Sequence, residues 1–146
     1  MTDYRELIHT LASSGIEFII IGGAAATAHG ATRLTDDLDV VYNRDQPNLA
    51  KIVNALAPLQ PYPRDAPARL PFKWEEATLS HGLNFRLRTS VGPLDLFGEI
   101  IAGGTYQDLL PHAIMLTIFG QQCRCLNARR LIEIKRATGR LKDQEV

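Results

Sequence analysis

Cysteine is scarce in this sequence: Cys123 and Cys125 are the only two in 146 residues. They alternate on a candidate strand, so both leave the same face and pack there as small apolar groups. With no second pair, the four ligands of a structural zinc site are not available. The reading is a reduced pair in a cytoplasmic protein. Net charge is also missing, with 16 Lys and Arg against 16 Asp and Glu. No global field draws the chain onto nucleic acid or an anionic membrane, so any nucleic-acid partner is held locally. Long apolar runs are absent as well. Residues 18–28 supply about half of the ~20 residues a bilayer span needs, and Gly22-Gly23 splits them. Met1-Thr2-Asp3-Tyr4-Arg5-Glu6 lacks the apolar centre of a signal peptide. No internal repeat is visible, and no membrane association is expected.

What is present suits one domain, residues 1–146, of the α/β (α+β) class. A chain of this length buries roughly two-thirds of its unfolded surface and needs no staples. Leu7, Ile8, Leu11 and Ala12 recur at helical spacing over residues 3–14. Residues 16–21 read as a strand covered on both faces, hence central in the sheet. Gly22-Gly23 breaks it, and residues 24–29 turn helical. Residues 33–41 alternate, with Leu34, Leu38 and Val40 on one face and Arg33, Thr35, Asp37 and Asp39 on the other. A helix from Asp45 or Gln46 follows and ends at Pro58, with Leu49, Ile52, Val53, Leu56 and Ala57 as its stripe.

Residues 60–72 hold Pro61, Pro63, Pro67 and Pro71, which bar regular structure and predict a loop. His81, Leu83, Phe85 and Leu87 alternate with Asn84, Arg86 and Arg88 as a strand. Ser90-Val91-Gly92-Pro93 turns it into a second strand, 94–97. Residues 106–110 suggest a helical turn, and 113–119 with 123–126 form a hairpin about Gly120-Gln121-Gln122. The 127–146 element opens with Asn127 as N-cap to a helix over 128–138, with Leu131, Ile132 and Ala137 inward and Gly139 as its stop.

Asp37 and Asp39 lie two apart on a strand, so both carboxylates leave one face, about 6.5 to 7 Å apart at the backbone. They repel unless a cation lies between them, and hard cations such as Mg2+ prefer oxygen ligands. Asp95 sits inside the apolar strand Leu94-Asp95-Leu96-Phe97, where burial is costly unless it is paired or coordinated. Three such carboxylates can hold two magnesium ions about 3.5 to 4 Å apart, which is phosphoryl or nucleotidyl transfer chemistry. Gly22-Gly23 lets the backbone approach phosphate oxygens at a helix start.

Ile21-Gly22-Gly23, then Arg33-x-Thr35-x-Asp37-x-Asp39, then Gly92-Pro93-Leu94-Asp95 resemble the nucleotidyltransferase superfamily typified by DNA polymerase beta. Within it, the pattern is similar to small bacterial abortive-infection and antitoxin nucleotidyltransferases. Leu131-Ile132-x-x-Lys135 with Arg140 and Lys142-Asp143 extends the resemblance. It implies a nucleotidyltransferase fold, a central mixed β-sheet flanked by helices. It implies Asp37 and Asp39 as ligands of Mg2+ or Mn2+, with Asp95 as third ligand and activator of the acceptor hydroxyl. Gly22 and Gly23 would hold the triphosphate, with Lys135 as a phosphate or active-site contact. The donor would be an NTP, ATP by expectation, and the acceptor a protein or RNA hydroxyl. Two departures favour an alternative, a toxin-antitoxin or regulatory module that holds a partner protein or senses nucleotide. Gly23 stands where many active members have serine, and the chain stops soon after Asp143, short of an acceptor-binding helical domain.

Other candidates keep two readings. Arg33 and Thr35 can touch phosphate, or Arg33 only neutralises Asp37 or Asp39. Arg86 and Arg88 can bind phosphate or face solvent. Asp36 points to the other face. Trp74 packs under the proline-rich loop rather than stacking a base. His29 caps a helix end, and His81 and His112 show no partner. The oligomeric state is open.

Overall fold

The computed structural model describes residues 3–22, 25, 37–67 and 71–144, with side chains as far as residue 139. The expected helix at 24–29 therefore lies outside the described residues except for Ala25, which is buried. So do His29, Asp36 and the 33–36 part of the expected strand.

In chain order the elements are α1 (Tyr4–Ser13), β1 (Phe18–Ile21), β2 (Leu38–Tyr42), α2 (Gln46–Leu56), β3 (Tyr62–Pro63), α3 (Glu76–His81), β4 (Asn84–Thr89) and β5 (Gly92–Phe97). Then follow β6 (Glu99–Ile100), β7 (Gly104–Thr105), α4 (Tyr106–Leu109), β8 (Ala113–Ile118), β9 (Gln121–Leu126) and α5 (Ala128–Gln144). Seven strands form one mixed sheet in the order β3-β4-β5-β2-β1-β9-β8, and β6 with β7 forms a small separate ribbon. β1 is central, antiparallel to β2 and parallel to β9, while β2 runs parallel to β5. All four residues of β1 are buried, as a strand covered on both faces requires.

Alternation along the strands builds one apolar cluster on each face. Phe18, Ile20, Leu38, Val40, Leu94, Leu96, Cys123 and Cys125 pack against Leu7, Ile8 and Leu11 of α1 and Leu49, Ile52 and Leu56 of α2. On the opposite face Ile19, Ile21, Val41 and Leu126 meet Tyr106 and Leu109 of α4, with Ile134 of α5 packed against them. The Asp3 carboxylate accepts the Glu6 N–H at 3.0 Å and fixes the start of α1.

Several boundaries differ from expectation. Tyr62 and Pro63, inside the proline-rich loop, form an edge strand against Arg88 and Leu87. An edge tolerates proline because one side of the strand needs no N–H donors. His81 ends a helix instead of opening β4; the apparent alternation through it is fortuitous, and Leu79 is what that helix buries. β5 begins at Gly92. The hairpin between β8 and β9 turns on Phe119 and Gly120, both at positive φ (50° and 79°), which is the two-residue turn that matches strand twist, so Gln121 and Gln122 belong to β9.

α5 continues through Gly139 to Gln144. A glycine inside a helix costs about 1 kcal/mol against alanine, too little to end a helix unless the chain also turns left-handed there. Ile132 is 50% exposed and points away from the core, whose contacts come from Leu131 and Ile134, three apart. No helix among the described residues is long and apolar enough to cross a membrane.

Candidate metal and phosphate site

Strand register aligns the acids. Ile21 pairs with Asp39, Asp39 with Asp95, and Asp95 with Arg86, one row across four strands. Leu38 and Val40 are buried on the other face, so Asp37 and Asp39 emerge together beside Asp95. One ligand oxygen from each of Asp37, Asp39 and Asp95 lies within 4.8 Å of the others. The Tyr4 hydroxyl donates to the Asp37 carbonyl at 3.3 Å, tying α1 to the entrance of β2.

The electrostatics are those of crowded carboxylates. Asp95 is 5% exposed. Asp39 is pushed up from 3.8 to about 7, first by burial, then by the charges of Asp37 and Asp95, with Arg64 opposing. Asp95 is also raised by burial, with Arg64 as the main opposing influence. Asp39 Oδ1 is buried without a hydrogen-bond partner. An orphaned carboxylate oxygen among three acids fits a divalent cation, which would satisfy the oxygen and cancel the repulsion.

Gly22 stands against this cluster. Its φ is +74°, and a Cβ built on it would lie 2.5 Å from Asp39 Oδ2. Only glycine brings the end of β1 this close to the carboxylate. Gly23, Arg33 and Thr35, the other expected phosphate contacts on this side, lie outside the described residues.

The residue that sequence reasoning missed is Arg64. Its Nη2 is 2.9 Å from Asp95 Oδ1 and donates to Oδ2 at 3.2 Å, while Nη1 donates to the Leu87 carbonyl at 3.4 Å. Its amide bonds the Arg86 carbonyl at 2.8 Å, continuing the β3 pairing by one residue. Nothing local in Pro63-Arg64-Asp65 signals this; the pairing joins residues 31 apart.

The remaining candidates are accounted for differently. Arg86 faces Asp65 at 3.4 Å in an exposed pair, and the Arg88 guanidinium lies 4.7 Å over the Tyr62 ring. Both secure the proline-rich segment. Lys135 is exposed on α5 and makes no hydrogen bond or ion pair among the described residues. Trp74 donates its indole N–H to the Val53 carbonyl at 2.9 Å and packs against the core. Cys123 and Cys125 are free and buried on the α1 face.

No protein-family model and no curated protein matches the chain by sequence. Solved structures do. A candidate nucleotidyltransferase from Thermotoga maritima superposes over 97% of this chain and 85% of its own, with TM-score 0.65 and 13% identity. An antigenic nucleotidyltransferase-like protein from Paracoccidioides brasiliensis matches over 88% of this chain at TM-score 0.52 and 18% identity. The chain spans 60% of that protein's length. With the mixed sheet flanked by helices described above, these likenesses show that the chain has the nucleotidyltransferase fold.

Proposed function

We propose that the chain is a metal-dependent nucleotidyltransferase that moves a nucleotide from a nucleoside triphosphate, with ATP as the expected donor, to a hydroxyl of a protein or RNA. One observation carries the reading. Asp37, Asp39 and Asp95 converge within 4.8 Å on one sheet face, and two of their oxygens, Asp39 Oδ1 and Asp95 Oδ1, are buried without a hydrogen-bond partner. Such a cluster is costly in an empty state and is stabilised by hard cations.

These three residues would hold Mg2+ or Mn2+, which supplies neutralisation of the triphosphate and polarisation of the attacking hydroxyl. Asp95, whose carboxyl is raised by burial, is suited to accept the hydroxyl proton. The hydroxyl oxygen then bonds to the α-phosphorus as the bond to pyrophosphate breaks, and most of the acceleration comes from holding the two in line. Backbone N–H groups at Gly22 and Gly23, with Arg33, Thr35 and Lys135, are the proposed phosphate contacts.

Incubation with α-phosphate-labelled ATP, Mg2+ and candidate acceptors tests this. Label should move to the acceptor, and the double change Asp37→Ala with Asp39→Ala should abolish both transfer and Mn2+ binding. Transfer that survives the double change would sink the reading. Arg64 on Asp95 favours a second reading, a toxin-antitoxin or regulatory module that holds a partner protein without turnover. In that case nucleotide or partner binds and no label moves.

A further inference from the structure

Arg64 stands against the carboxylate that would be the third metal ligand, hydrogen-bonded to one of its oxygens and ion-paired with the other. Its Nη2 lies between both oxygens of Asp95, at 2.9 and 3.2 Å, and the side chain is 22% exposed. The guanidinium is held from behind by the Leu87 carbonyl, and its backbone by the Arg86 carbonyl. The segment that delivers it is slight. β3 is two residues long, lies at the sheet edge, and is secured by the Arg88 cation over Tyr62 and the exposed Asp65–Arg86 pair. Arg86, although directly opposite Asp95 in register, pairs with Asp65 instead. The cation in contact with Asp95 thus comes from beside a two-residue edge strand, while Arg86 acts on it only through its charge.

We infer that Arg64 is a resident counter-cation that leaves Asp95 when the three carboxylates take up a divalent metal, so that this arginine sets the affinity of the site. The inference rests on the proposed metal role of Asp37, Asp39 and Asp95. Its physical basis is competition. A guanidinium that hydrogen-bonds Oδ2 and stands 2.9 Å from Oδ1 competes with any second cation for the carboxylate, and two cations on one carboxylate repel each other. Metal uptake therefore includes the work of breaking the Arg64–Asp95 pair. The freed guanidinium then stands beside the acids, where an anion carried by the metal would meet it.

Mn2+ titration, reading free ion by its paramagnetic resonance signal without nucleotide, tests this on the wild-type chain and on Arg64→Ala, Arg64→Lys and Arg124→Ala. Arg64→Ala should bind Mn2+ roughly 3- to 5-fold tighter than wild type, the scale of one partly exposed ion pair removed. Arg64→Lys keeps a cation on a different stem and should fall between them. Should Arg64→Ala fail to fold, the ordering of Arg64→Lys against wild type carries the same test. Arg124→Ala removes an equal charge that is exposed on β9, two strands from β2 and clear of β3, and should leave affinity within about twofold. Equal or weaker binding by both Arg64 variants overturns the inference and leaves the function standing. Equal tightening by Arg124→Ala overturns it too, because a general field would then be the cause. No Mn2+ binding by any of the four overturns both.

Discussion

Gly22 and Asp39 touch: the end of the central strand passes so close to the carboxylate that a methyl group on Gly22 would sit 2.5 Å from Asp39 Oδ2. Gly22→Ala combines that clash with a left-handed φ of +74°. We expect a loss of about 1 to 3 kcal/mol in denaturant unfolding and weaker Mn2+ binding. Gly139→Ala is the control, since a Cβ there meets nothing within 4 Å and the residue lies inside α5. It should stabilise by about 0.5 to 1 kcal/mol.

The acids make stability depend on pH. Asp39 is raised from 3.8 to about 7, so between these values the folded chain binds more protons than the unfolded one. Stability from this group is therefore full below pH 3.8 and lost as pH rises through about 7. Asp95 shifts in the same direction. Thermal melts without metal should show lower stability at pH 8 than at pH 6. Asp39→Asn should flatten that fall and stabilise the metal-free chain at pH 8 on the order of 1 kcal/mol. Mg2+ should stabilise wild type more at pH 8 than at pH 5.

Asn48 is a buried polar residue with a structural duty. Its side chain accepts the Glu17 N–H at 2.7 Å and donates to the carbonyls of Asn43 at 2.7 Å and Glu17 at 3.1 Å. Asn48→Ala removes the partners of the Glu17 N–H and the Asn43 carbonyl at the junction of β1, β2 and α2, while the Glu17 carbonyl keeps the Asn43 N–H. Chemical denaturation should show a cost of about 2 to 3 kcal/mol, with Mn2+ affinity unchanged.

Burial pushes the Cys123 thiol up to about 11 and Cys125 to about 12. Thiolate is the reactive form, so at pH 8 dithiobis(nitrobenzoate) should label the folded chain at least roughly 100-fold more slowly than the unfolded one. Fast labelling of one cysteine in the native state would show that the β9 face opens locally.

Local pattern was enough to put Asp37 and Asp39 on one face and to mark Asp95 as the acid opposite Leu94 and Leu96 on its own strand. Period-2 alternation does this within each strand and needs no tertiary information. The same holds for β1, whose Phe-Ile-Ile-Ile run admits only a doubly covered position. Helix ends were less legible. Gly139 reads as a stop, yet its backbone stays helical because stopping depends on a turn that the following residues do not make.

By itself, then, the sequence determined the α/β class, the central strand and the common face of Asp37 and Asp39, because each follows from side-chain periodicity over a few residues. Only the tertiary structure decided that β2 and β5 align in parallel with Asp39 opposite Asp95, that Gly22 abuts Asp39, and that Arg64 closes on Asp95. Those relationships join residues 17 to 56 positions apart on different strands, and register and edge pairing across such distances are set by the packing of the whole sheet.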